Sequence, residues 1–171
     1  MHKKLYAVGV IVGSAALMAS TAMPASAAAG DTTTTFALAG ESLSITVQAT
    51  AALTDGSSGA ANVSGPLGLV KVTDLRGGVT VWNASATSTT FTGPSTTSTG
   101  VSYRAGAMTT TGNIVILPGV ATALSGTSAR VAGPTAVVGN NTAQWNPVLT
   151  VSLPSDALAG NYTGTVNTSV L

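Results

Sequence analysis

The 171-residue sequence contains no cysteine, and charged residues make up only 6% of it. Without cysteine there is no disulfide framework, and no thiolate to serve as nucleophile or metal ligand. Histidine occurs once, at His2, inside a segment that reads as a secretory signal. A mature Ser-His-Asp site or a histidine-bound zinc site therefore cannot be assembled. No G-x-x-x-x-G-K phosphate loop occurs, and the turn at Asp55 offers calcium a single carboxylate where several oxygens are needed. No metal and no cofactor is expected.

The scarcity of charge lies far below the roughly 25% usual in soluble domains, which leaves solubility to Ser, Thr, Asn and Gln. Beyond residue 27, Lys71, Arg76, Arg104 and Arg130 stand against Asp31, Glu41, Asp55, Asp74 and Asp156, and four minus five gives a formal charge of −1. Four scattered cations form no basic stripe, which argues against a nucleic-acid partner.

What is present begins with a leader pattern. Lys3 and Lys4 precede an apolar run over residues 5–19, and Ala25, Ser26 and Ala27 form a small-residue exit. This points to a cleaved signal peptide over residues 1–27. The run is short for a membrane anchor, so no membrane span is expected after cleavage. Residues 28–171 are expected to form one domain in an extracellular or wall-associated protein.

Along that domain the apolar pattern is mostly period two. In SLSITVQA, Leu43, Ile45, Val47 and Ala49 share a face; in VLTVSL, Leu149, Val151 and Leu153 do; and near the end Tyr162, Val166 and Val170 do. TFALAG, LGLVKVTD, GVTVWNASA, VSYRA and NIVIL are shorter strand candidates, separated by TDGSSG, TGPSTTSTG and VGNN. The expected fold is all-β, a single antiparallel β-sandwich of immunoglobulin-like kind. The one helical candidate is SDALAG at 155–160, a single turn capped by Ser155 or Asp156.

Three groups of residues could carry function. Asp74, Arg76 and Gly77 sit between two strand candidates, and the glycine pair predicts a hairpin with a local ion pair, a structural cluster. Trp82 shares parity with Ala84 and Ala86, which fits a ring filling the core; facing solvent, it would be a binding platform. Trp145, Asn146 and Pro147 read either as the entry to an edge strand or as an exposed aromatic contact for a glycan. Trp82, Trp145 and Asn146 are the candidate ligand contacts. Asp74 and Asp156 are the least implausible carboxylate pair for glycoside cleavage, but nothing in the spacing joins them, and no enzyme is expected.

The stretches LVKVTDLRGGVTVWNASATSTTFTG and VLTVSLPSDALAGNYTGTVNTSVL resemble the WxL-type bacterial cell-surface domain and small secreted actinobacterial proteins related to it. The similarity rests on Val72, Asp74, Arg76, Gly77, Trp82 and Phe91, then on Pro154, Ala157, Ala159, Gly160, Tyr162, Gly164 and Thr165. A literal W-x-L tripeptide is absent, since Trp82 is followed by Asn83 and Ala84, and Trp145 by Asn146 and Pro147. The resemblance implies a secreted β-sandwich held noncovalently at the Gram-positive wall, with peptidoglycan or wall polysaccharide as partner. No L-P-x-T-G segment points to covalent anchoring. The alternative reading is a structural surface protein that self-associates, or joins other surface proteins, into a coat or fibre through unguarded strand edges.

Overall fold

Aliphatic and hydroxyl side chains alternate along this chain, and a pleated backbone sends successive side chains to opposite faces. The computed structural model describes residues 35–171 apart from 55, 58 and 95; the expected signal over 1–27 lies outside the described residues. Among those described there are eleven strands and no helix. They are β1 (Leu43–Thr46), β2 (Asn62–Pro66), β3 (Val70–Asp74), β4 (Ala84–Ser88), β5 (Gly100–Gly106) and β6 (Thr109–Val115), followed by β7 (Gly119–Leu124), β8 (Ala129–Ala132), β9 (Ala136–Trp145), β10 (Val148–Ser152) and β11 (Val166–Val170). All neighbours run antiparallel, in three sheets ordered β1-β3-β9-β6, β2-β10-β5-β7 and β11-β4-β8. The all-β antiparallel class expected from the alternation is the class observed, and layered sheets around one core are consistent with a sandwich.

The core is the sum of the inward parities. Val70, Val72 and Asp74 of β3 face Trp145, Ala143 and Asn141 of β9, and all six are buried. Leu149 and Val151 of β10 stand beside Tyr103 and Val101 of β5. From the third sheet, Ala84 and Ala86 contribute small side chains, which leave room for the Trp82 ring. Burial of aromatic bodies of this size supplies several kcal/mol each, at about 25 cal/mol per Å² removed from water.

Two chain crossings bind the first sheet to the second. The chain leaves β2 at Pro66 and enters β3 at Val70; it leaves β9 at Trp145 and enters β10 at Val148. These crossings run side by side, because the Leu67 N–H donates to the Pro147 carbonyl at 2.9 Å and the Gly68 N–H to Asn146 Oδ1 at 3.1 Å. The ladder therefore continues round the corner. Gly68 turns it with a φ of 88°, and a Cβ there would run into the Gln48 side chain.

Several local expectations are corrected. β3 and β4 do not form a hairpin about Gly77 and Gly78: they belong to different sheets. The VGNN run does not separate strands but lies within β9, the longest strand, where three residues, Gly139, Asn140 and Asn141, stand opposite Gly112 of β6. That bulge hides the alternation. β10 is an interior strand, not an edge, so Trp145 closes a central strand and Pro147 fills the corner. SDALAG forms no helix; Ser155 and Asp156 lie in a turn in which the Ala157 N–H donates to the Pro154 carbonyl at 3.1 Å. TFALAG forms no strand, and Val47 and Ala49 lie beyond β1 and are exposed.

The Trp145 indole is buried, and its Nε1–H donates to the Tyr103 hydroxyl at 2.9 Å. A Tyr103→Phe substitution keeps the ring and leaves that donor without an acceptor. Urea denaturation should show a loss of about 1–3 kcal/mol.

Candidate functional site

Asp74 ends β3 on its inner face, opposite Asn141. A buried carboxylate is tolerated only with partners, and Arg76 supplies them. Its Nε donates to Oδ1 at 2.9 Å and its Nη2 to Oδ2 at 3.0 Å, while the Arg76 backbone N–H donates to Oδ1 at 3.1 Å. The same Nη2 reaches the Thr80 carbonyl at 3.3 Å, so the guanidinium spans the loop it belongs to. Hydrogen bonding from Arg76, opposed by burial, holds the Asp74 carboxyl below its ordinary range, and the carboxylate raises Arg76 in turn.

Gly77 and Gly78 follow with φ of 69° and 71°, a left-handed pair that other residues adopt only with strain. They turn the chain toward the third sheet and place the Gly78 carbonyl to accept the Gly139 N–H of the β9 bulge at 2.7 Å. Four residues on, Trp82 drops into the core and its Nε1–H donates to Asn141 Oδ1 at 3.1 Å. Asn141 Nδ2 donates to the Gly139 carbonyl at 3.1 Å, closing the circuit. Asp74, Arg76 and Gly77 are thus parts of a latch joining β3, the bulge and the approach to β4. Among the described residues no buried side-chain nitrogen or oxygen lacks a partner. The Asp74 carboxylate is occupied on both oxygens, which suits a fastening and not a general base.

The candidate contacts lie elsewhere than a surface site requires. Trp82 is 0% exposed and Trp145 2%, and both belong to the buried core cluster, so neither offers a face for stacking on a glycan. Asn146 is exposed, but its Oδ1 accepts the Gly68 N–H and holds the sheet corner. The three do not converge: Trp82 is tied to Asn141 and Trp145 to Tyr103. Asp74 and Asp156 are also apart, the first in the latch and the second beside Pro154 at a surface hollow. Among the described residues no three of His, Cys, Asp and Glu gather as metal ligands.

Among the described residues one surface concavity is a trough of about 630 Å³ at the end of β4 and the start of β5, lined by Thr87, Thr90, Thr99, Ser125, Thr165 and Asn167 among others. Ser98 and Thr99 also line a second hollow of about 550 Å³ that carries Asp156. Some hydroxyls are spent locally, as Thr89 Oγ1 accepts the Thr165 N–H at 2.9 Å. Thr90 and Asn167 are exposed. No motif in the sequence marks this trough: its residues come from four separate Ser/Thr-rich stretches.

Neither a family model, nor a curated protein, nor a solved structure matches the chain. The trough, the latch and the sheet edges are therefore interpreted from their own geometry.

Two titrations should mark the stability of this region. Asp74 ionises below its unfolded value of about 3.9, so its contribution is complete above that pH and is lost as pH falls through the lower folded value. Tyr103 is pushed up to about 12 by burial; its contribution is present below its unfolded value of about 10 and disappears as pH rises toward the folded one. Unfolding free energy should hold steady near neutrality and fall at both extremes. Arg76→Ala should cost about 1–3 kcal/mol near neutral pH, since it strips a buried carboxylate of its side-chain donors. Equilibrium unfolding across pH checks both.

Proposed function

We propose that this is a secreted, non-enzymatic surface protein held noncovalently at a bacterial cell wall, with the hydroxyl-lined trough as its contact for peptidoglycan or wall glycan. The observation that carries the reading is that trough. The hydroxyls and acetamides of a glycan strand are recognised by placed hydroxyl and amide groups that exchange hydrogen bonds with them, and the exposed Thr90 and Asn167 supply such groups with little competing charge. The leader pattern over residues 1–27 supports export, and the resemblance to the WxL-type domain supports the wall as destination. In the same reading residues 28–171 form the immunoglobulin-like sandwich left after cleavage.

With both indoles buried, contact passes from aromatic stacking to hydrogen bonding. Trp82 and Trp145 serve the fold that shapes the trough. No catalytic role is assigned, because Arg76 occupies Asp74 and Asp156 stands apart from it.

Retention of the secreted protein on purified peptidoglycan and on whole walls tests this. The wild type should be retained. Thr90→Ala and Asn167→Ala, both on exposed side chains, should each weaken retention about twofold to tenfold, the worth of a hydrogen bond, without shifting the melting temperature. A wild type that washes through removes wall binding, and retention unchanged in the double variant removes the trough as its site.

A further inference from the structure

The three sheets end in six strands: β1, β6, β2, β7, β11 and β8. An end strand presents unpaired N–H and C=O groups, and native proteins guard them with charge, proline or cover. Five of these ends have a neighbour alongside. Beside β2 runs the segment of Leu53 and Thr54, with the Thr54 N–H donating to the Ser64 carbonyl at 3.3 Å. β7 lies against β8, and β1 approaches β11. Each of the six has a single ladder; β6 differs in that, among the described residues, the strand packed closely against it is its ladder partner β9 alone.

This edge also carries no charge, although the Gly112 bulge interrupts it and Pro118 follows it. No charged residue lies between Arg104 and Arg130, nor between Arg130 and Asp156, so both β6 and the adjoining β9 are neutral throughout. Aliphatic side chains stand uncovered there: Val115 is 53% exposed, Leu117 68%, and Val138 of β9 55%. Gly112, with φ of 86°, sits at the bulge and sets the threonine half of β6 apart from the Asn113, Ile114 and Val115 half.

We infer that two copies of this chain pair β6 to β6, antiparallel, across a two-fold axis. The joint sheet would run β1-β3-β9-β6 and then the second copy's four strands in reverse order. The occupant is a second copy because an antiparallel strand is complementary to itself, the isologous arrangement that closes most dimers. A neutral edge repels no identical partner and offers no charge by which a different one would be selected. Main-chain bonds supply the attraction, and burial of Val115 and Leu117 adds to it. If β6 is the one edge used among the described residues, the association closes at two, whereas a fibre needs a second edge. The inference stands apart from wall binding, though a dimer would present two troughs to one polymer.

Analytical ultracentrifugation of the secreted protein over a wide concentration range tests the pairing. The mass should move from one copy to two and stop. Val115→Lys, or Leu117→Lys beyond the end of β6, would set like charges on the copies and should weaken the dimer about tenfold or more. Thermal melts establish that each variant is folded. A single-copy mass at every concentration overturns the pairing. Mass that climbs past two overturns the closure, and a dimer indifferent to both lysines overturns the assignment to β6. Wall retention is measured separately, so either proposal can fail while the other stands.

Discussion

Two buried indole N–H groups need acceptors, and much of this structure follows from how they are met. A donor left unpaired in a core costs about 1–3 kcal/mol, a sizeable share of a net stability of about 5–15 kcal/mol. Asn141 and Tyr103 accept from Trp82 and Trp145. Asn141 and Trp145 lie on the same inner face of β9, so that strand carries one end of each pair. Its position between β3 and β6, its bulge and its turn into β10 all serve to hold those two rings in register.

A chain without disulfides must fasten its sheets by other means, and two devices do so. At one end the latch of Asp74, Arg76, Gly77 and Gly78 ties β3 to the β9 bulge and delivers Trp82 toward the third sheet. At the other, Asn146 and Pro147 hold the paired crossings into the second sheet. Both use hydrogen bonds from residues that also look functional when read singly. An Asp-Arg pair, an exposed Asn and two Trp are consumed by the fold, which moves the question of function to the exterior.

That exterior is neutral and rich in hydroxyl groups. Such a surface is suited to uncharged polymers and is poor at repelling its own kind. The trough and the bare β6 edge express these two tendencies at different places. The trough is built from Ser and Thr of several segments, and the edge exists because β6 ends the first sheet.

Alternation along residues 43–46, 148–152 and 166–170 was legible because a half-buried strand writes its burial into a period of two. The inward parity of Leu149 and Val151, the closeness of Asp74 to Arg76 and the likeness of Trp82's parity to Ala84 could all be read from the chain, since each is a local relation. β9 could not, because its bulge breaks the period and Gly-Asn-Asn imitates a loop. The sheet change between β3 and β4 was equally hidden: two glycines permit a hairpin or a crossing with the same dihedral angles. Composition and periodicity thus determined an all-β, antiparallel chain with no thiol and a single histidine, at position 2. Which strands became neighbours, where the indoles went and which strands ended the sheets were decided by long-range packing, where one arrangement gave every buried side-chain donor among the described residues a partner while closing the core.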